Sequence, residues 1–193
     1  MKLTAQRLLT LLLLILLSIG FGFGFDAIAT AIEKKSHPRP QSIAAIISAN
    51  AKEFGVPEAI LWATVKEQSD FASNAVSPTG EVGLMQISPA RSEMICKELL
   101  QTESLDAGML YDPATNLRLG TAYLSYLYQR YGVWENAYAA YFAGTDTVDA
   151  WLKNSSYVTP QGVLTNLPDP NTASYLKKMK KSVLLYGKLY YES

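Results

Sequence analysis

The sequence predicts a mainly α-helical protein: one helical domain with a small β-hairpin, preceded by a single N-terminal transmembrane or signal helix. Three observations carry this. Leu8 to Phe25 is an apolar run without a single charge. From Ser42 onward, apolar residues recur at helical spacing between Pro, Gly and Asp-Pro breaks. Strand signals are weak everywhere except near Gly80 to Ile87, where a short hairpin is expected.

Lys2 and Arg7 precede the apolar run and no acid appears before Asp26, which places the N-terminus in the cytoplasm and the remainder outside. At 18 residues the run is just long enough to span a bilayer. Ala27-Ile28-Ala29 also has the small-x-small form of a cleavage site. Residues 1–29 therefore read as a signal-anchor or a cleaved signal peptide. Either exports the rest of the chain, as a domain tethered to the outer face of the cell membrane or as a secreted one. Residues 30–41, with the charged, Pro-containing EKKSHPRPQ, read as a linker, and 42–193 as the domain.

Within the domain, Ser42 is the expected N-cap of IAAIISANAKEF, with Gly55 as its stop. Pro57 suits the first turn of PEAILWATVKEQS. Turn formers in Asn74 to Val82 end that helix, and a third starts at Pro89 or Ala90 and runs to about Leu100. Asp112-Pro113 is a cap-plus-N1 pair opening a long helix in which Leu117, Leu124 and Tyr131 share one stripe, with Gly132 as its stop. Shorter helices come next at Trp134 to Ala143 and Thr147 to Lys153, then a Pro- and Gly-containing loop over Ser155 to Pro170. The last helix, Asn171 to about Tyr191, carries Tyr175, Met179, Val183, Tyr186 and Tyr190 on one stripe, which reads as core. Its lysines, Lys177 to Lys181, read as a solvated face or as an attractor of anionic polymer or lipid.

Composition narrows the chemistry. Lys+Arg and Asp+Glu both number 17, and a net charge of zero argues against nucleic-acid binding. One cysteine, Cys96, excludes an intramolecular disulfide framework and reads as a small core residue; one histidine, His37, excludes His-rich metal sites. No metal or other cofactor is expected. Catalysis, if any, falls to carboxylates, hydroxyls, amides or aromatics.

The stretch GVPEAILWATVKEQSDFASNAVSPTGEVGLMQ, residues 55–86, closely resembles the goose-type-lysozyme-like domain of SLT-type lytic transglycosylases. In that family a helix ends in Glu-Ser-x-Phe, followed by Ala-x-Ser-x-x-Gly and Gly-Leu-Met-Gln. Here Ser69, Phe71, Ala75, Ser77, Gly80, Gly83, Leu84, Met85 and Gln86 match in register. YDPATNLRLGTAYLSYL resembles the family's Asp-Pro-x-x-Asn-x-x-x-Gly helix, Ala140-Tyr141-Phe142-Ala143-Gly144 its Tyr-Asn-Ala-Gly segment, and Pro170-Asn171-Thr172-Ala173-Ser174-Tyr175 its Pro-Glu-Thr-x-x-Tyr segment. The resemblance covers roughly residues 42–190. It implies a lysozyme-like fold and a peptidoglycan partner. It also implies non-hydrolytic cleavage of the MurNAc–GlcNAc β-1,4 bond to a 1,6-anhydroMurNAc end, with one glutamic acid serving as acid and then base.

That glutamate's position is occupied by Gln68. At about 100° per residue, residue 68 falls near the centre of the stripe made by Ile60, Leu61, Thr64 and Val65, so its side chain is expected to face a cleft floor. A neutral amide cannot protonate a leaving group, and loss of a general acid–base group costs about 10²–10⁴-fold in rate. The family's Asn is Phe142 and its Pro-Glu-Thr Glu is Asn171. Glu67 and Glu81 are candidate substitute acids; both also read as solvated side chains. The resemblance implies that Ser69 helps orient residue 68, that Gln86 and the Met85 backbone contact N-acetyl sugars, and that Tyr141 and Tyr175 flank the cleft, with Ser77 and Phe142 among the substrate-binding positions. Three readings are open: a lytic transglycosylase impaired by Gln68, an inactive peptidoglycan-binding module, or an envelope scaffold.

Overall fold

The computed structural model describes residues 28–192. The expected membrane or signal run, Leu8 to Phe25, lies outside the described residues. Among the described residues no helix is long and apolar enough to cross a membrane. The chain divides between Pro38 and Arg39. Residues 28–36 are helical, which includes the first part of the stretch expected as a linker, 30–41. The His37 amide still donates to the Glu33 carbonyl (2.9 Å), and the prolines at 38 and 40 then prevent continuation.

The unit from Arg39 onward is built of helices. They are α1 (Gln41–Phe54), α2 (Glu58–Ser69), α3 (Pro89–Met94), a π-helical turn (Ile95–Leu100), a 3₁₀ turn (Ala107–Tyr111), α4 (Pro113–Tyr131), α5 (Trp134–Ala143), α6 (Thr145–Leu152) and α7 (Pro170–Tyr190). Punctuation explains most boundaries. Gly55 and Gly132 close α1 and α4 in the left-handed region, at φ 67° each, where glycine pays no Cβ penalty. The Asp112 carboxylate caps α4 by accepting from the Thr115 amide, and Asp169 caps α7 by accepting from Asn171 and Thr172. Ser42 is not a cap: α1 starts at Gln41, straight after Pro40, whose fixed φ leads into the first turn.

Helix α2 is the central element. Ile60, Leu61, Trp62, Ala63, Thr64 and Val65 are all buried, so it is enclosed on every side rather than amphipathic. Helix α7 packs along it, α5 packs on α7, and α4 bridges α1, α5 and the π-helical turn. The tyrosine stripe of α7 is largely core, as expected: Tyr175, Met179 and Tyr186 are buried. Lys177, Lys178, Lys180 and Lys181 stay exposed around buried Met179, and Lys180 pairs with Glu135 at 3.2 Å. Cys96 is a buried free thiol in the core.

The expected hairpin is reduced to isolated bridges, Val76 with Val82 and Val82 with Ile87; no strand forms among the described residues. Residues 83–86 reverse the chain in a turn immediately after Val82, with positive φ at Gly83 and Gln86. A ladder therefore has no length over which to extend.

Candidate functional site

The resemblance-bearing segments converge on one groove. Gln68 projects from the last turn of α2, half-buried, and its Nε2 donates to the Tyr175 hydroxyl at 3.0 Å. Directly beyond, Asp70 and Phe71 both adopt positive φ, 48° and 67°. This conformation is uncommon for non-glycine residues and costs backbone strain. It ends α2 at Ser69, one residue after Gln68.

The loop opposite is held by buried polar side chains from distant elements. Asn116 of α4 accepts from the Met85 amide (2.7 Å) and donates to the Val82 and Leu110 carbonyls (2.8 Å each). Tyr141 of α5 donates to the Met85 carbonyl at 2.7 Å, and Ser69 to the Leu84 carbonyl at 2.8 Å. Gly83 is required here: at φ +80°, a Cβ would lie 2.4 Å from Asn116 Nδ2 and 2.5 Å from the Leu110 carbonyl oxygen. Gly120 of α4 similarly lets Met85 seat, since a Cβ there would meet its Sδ at 2.4 Å.

Two hollows open along this groove. The smaller, about 210 Å³, is lined by Gln68, Ser77, Thr79, Glu81, Gln86, Arg91, Tyr141 and Phe142. The larger, about 570 Å³, lies on the far side of Phe142, where Glu67, Thr147, Trp151, Asn171, Tyr175 and Lys178 are among the lining residues. Of the residues singled out from the sequence, the structure places Gln68, Ser77, Glu81, Gln86, Tyr141 and Phe142 at the smaller hollow and Glu67, Phe142 and Tyr175 at the larger.

Several bonds differ from the roles the resemblance implied. The Ser69 hydroxyl goes to the Leu84 and Val65 carbonyls, so it fastens the loop to α2 and positions residue 68 only through that joint. Met85 is fully buried and both its backbone groups already have partners within the protein, which leaves its amide no proton to offer a sugar. Gln86 reaches the hollow, but its Nε2 is engaged by the Gly83 and Ala75 carbonyls (2.8 and 3.2 Å).

The electrostatics separate the two carboxylates. Burial pushes the Glu81 carboxyl up, but the hydroxyls of Ser77 and Thr79, its own backbone amide and the field of Arg91 more than offset this. The group ends below the ordinary 4.5. It is therefore an anion at neutral pH. Glu67 accepts a hydrogen bond from Ser182 of α7 and faces the larger hollow, away from Ser77 and Glu81. Burial pushes the Tyr175 phenol upward, with the Gln68 bond acting against it, so Tyr175 is neutral across the physiological range. Tyr141 is pushed up by burial as well.

Arg91, Thr79 and Asn116 were not singled out from the sequence. Arg91 lies over the rings of Tyr123 (5.1 Å) and Tyr141 (5.7 Å), which brings its charge to the hollow. Nothing in the local pattern of its helix marks it. Asn116 sits in the Asp-Pro-x-x-Asn stretch, and that spacing was the available signal.

Comparison with known proteins agrees with this architecture. The family model "Transglycosylase SLT domain" matches residues 45–161. The chain is 32% identical over 139 residues to the soluble lytic murein transglycosylase of Escherichia coli strain K12, covering 70% of this chain and 21% of that protein. The crystal structure of the 70-kDa soluble lytic transglycosylase from Escherichia coli superposes with a TM-score of 0.75 at 26% identity, covering 83% of this chain and 26% of the other. An inactive glutamate-to-glutamine mutant of the lytic transglycosylase Slt from Pseudomonas aeruginosa superposes at 0.69 with 28% identity, covering 77% and 24%. The chain spans about a fifth of the length of the curated relative. With the family model matching more than half of its residues, this chain belongs to the transglycosylase SLT domain family and has its mainly helical, lysozyme-like fold.

Proposed function

We propose that this chain is an extracytoplasmic peptidoglycan protein whose groove receives glycan strands and whose lytic chemistry is disabled or strongly weakened by Gln68. Localisation rests on the apolar run at Leu8 to Phe25, read as a membrane tether or an export signal. The substrate class rests on the family relationship to lytic murein transglycosylases. The impairment rests on a single observation: at the end of α2, facing the hollow, stands an amide bonded to a buried neutral phenol, in the position that the resemblance assigns to the acid. A lytic cleavage needs a proton delivered to the glycosidic oxygen and later removed from the C6 hydroxyl. Neither Gln68 nor Tyr175 can exchange one near neutrality. A glutamate-to-glutamine exchange also marks the inactive Pseudomonas aeruginosa mutant.

Neither neighbouring carboxylate supports a relocated acid. Glu81 is held as an anion by donors, the opposite of what a general acid requires. Glu67 lines the other hollow. Retention of the groove without its acid favours a glycan-binding module over an envelope scaffold, because Phe142 borders both hollows and does not fill either.

The test incubates the protein with purified peptidoglycan and examines the products by mass spectrometry. The expected result is that the protein pellets with the polymer and yields no 1,6-anhydroMurNAc ends above background. Abundant 1,6-anhydro ends would overturn the impairment, and failure to pellet would overturn the glycan-binding reading.

A further inference from the structure

The groove is divided by one side chain. Phe142 stands in the last turn of α5 and lines both hollows. Its ring lies on that of Tyr175, with centroids 4.6 Å apart and planes 17° from parallel. Tyr175 is buried, so one face of the phenyl ring is covered and fixed. Yet Phe142 is 45% exposed while stacked on this buried ring. Tyr175 is itself tied down by Gln68. The result is a flat apolar surface, held rigid from behind and presented to solvent in the middle of a groove.

The surroundings select what can lie on it. On one side are the hydroxyls of Ser77 and Thr79 and the amides of Gln68 and Gln86; on the other are Thr147, Ser174 and Asn171. A planar apolar face flanked on both sides by hydrogen-bonding groups, with the carboxylates of Glu81, Glu67 and Asp169 set against Arg91 and Lys178, complements a ligand without net negative charge that is apolar on its faces and polar around its rim. A pyranose in the chair form, with equatorial hydroxyl and acetamido groups and axial C–H bonds, has that shape. A nucleotide or an anionic peptide would require a basic surface that the small hollow, with Arg91 beside Glu81, does not offer.

We propose that the outward face of Phe142, backed by Tyr175, is the seat of one N-acetylated pyranose of a β-linked glycan, and that Phe142 is the residue that determines what the groove binds. This rests on the glycan-binding reading above and deepens it. The side chain that departs from the family's amide is thereby an added contact rather than an obstruction. The sugar ring stacks on the phenyl group, and its rim groups reach the hydroxyls and amides of the hollows on either side.

The test titrates the full chain with a soluble β-1,4-linked N-acetylglucosamine hexamer, by calorimetry and by the fluorescence of Trp151 in the larger hollow, and repeats pelleting with purified peptidoglycan. Phe142→Ala is expected to weaken binding about tenfold, the scale of a lost aromatic stack. Phe142→Trp, which keeps a flat face, is expected to bind within about twofold of wild type. Circular dichroism melts of each variant report folding, and a half-exposed position makes unfolding unexpected. If wild type binds and Phe142→Ala binds equally or more tightly, the ring is a spectator or a plug and the proposal fails alone. If wild type binds neither hexamer nor peptidoglycan, the glycan reading fails and the platform with it.

Discussion

An amide at position 68 has no acidic proton to deliver to a leaving group. Gln68 keeps the length of a glutamate and uses it to donate to Tyr175. Its neighbour Glu81 shows why a nearby carboxylate is not automatically a substitute. Acidity at neutral pH requires the charged form to be disfavoured, and the Ser77 and Thr79 hydroxyls, which donate to the carboxylate, favour it. A carboxyl lowered in the folded protein contributes stability above its unfolded value of about 4.5 and loses it as the pH falls through its folded value. The Ser77 to Glu81 loop is thus expected to loosen only below that range. Carbon-detected NMR titration of the Glu81 carboxyl should give a midpoint under 4.5, moving up in Ser77→Ala. A midpoint near neutrality would make Glu81 a working acid and contradict this assignment. Sequence alone placed residue 68 toward a cleft floor through a stripe that α2, buried all round over 60–65, does not show, although Gln68 does border a hollow. It could not set the protonation of Glu81, which depends on donors arranged by the fold around it.

At the scale of elements, the loop facing α2 is stable because other elements finish its hydrogen bonds. Asn116 is completely buried and serves three backbone groups at once. Asn116→Ala would strand the buried Met85 amide and take a donor from the Leu110 carbonyl, while the Val82 carbonyl keeps the Ile87 amide; it is expected to cost about 1–3 kcal/mol in chemical denaturation, the penalty of an unsatisfied buried group. Gly83→Ala combines a left-handed φ with a collision against backbone, and is expected to cost at least about 2 kcal/mol. A loss under about 0.5 kcal/mol for either would show that the loop is held by other means. Helix ends were legible wherever a single residue determines them: Asp112-Pro113, Gly55, Gly132. The hairpin was not, since the apolar residues at 82, 84, 85 and 87 serve burial in a turn pinned by Asn116, Tyr141 and Ser69, not pairing with a neighbouring strand. The helical residues 33–36 escaped for a related reason: composition marked a linker, while the backbone ladder ran on until His37.

Across the whole domain, its first residue is tied to its last helix. The Arg39 guanidinium lies 5.3, 5.1 and 5.2 Å from the ring centroids of Trp62, Tyr190 and Tyr191 and pairs with Glu58 at 3.5 Å. Tyr191 donates to the same carboxylate at 2.6 Å. Because α7 also carries Tyr175, this clamp and the groove share one helix, far apart along its length. Arg39→Ala is expected to speed hydrogen exchange of amides 187–191 by about tenfold or more, a loss on the scale of desolvated cation–π contacts, and to leave those around Tyr175 unchanged. Equal exchange at 187–191 would show the clamp to be incidental. None of this was visible in the sequence, where Arg39 belongs to a Pro-flanked charged stretch and Tyr190 and Tyr191 stand at the opposite end of the domain. The family blocks, by contrast, were legible because each is short, ordered along the chain and tied to a bond that the fold requires.

The measurement that bears most directly on the central claim compares wild type with Gln68→Glu on purified peptidoglycan, counting 1,6-anhydroMurNAc ends released per unit time. If the groove is intact and lacks only its acid, the restored glutamic acid should raise the rate by at least about 10²-fold over wild type, with binding unchanged. If wild type is already as active as Gln68→Glu, the proton comes from elsewhere and the assignment of position 68 is wrong. If neither cleaves while both still bind, the loss reaches beyond the acid to the shape of the groove, and the claim that only the proton is missing is contradicted.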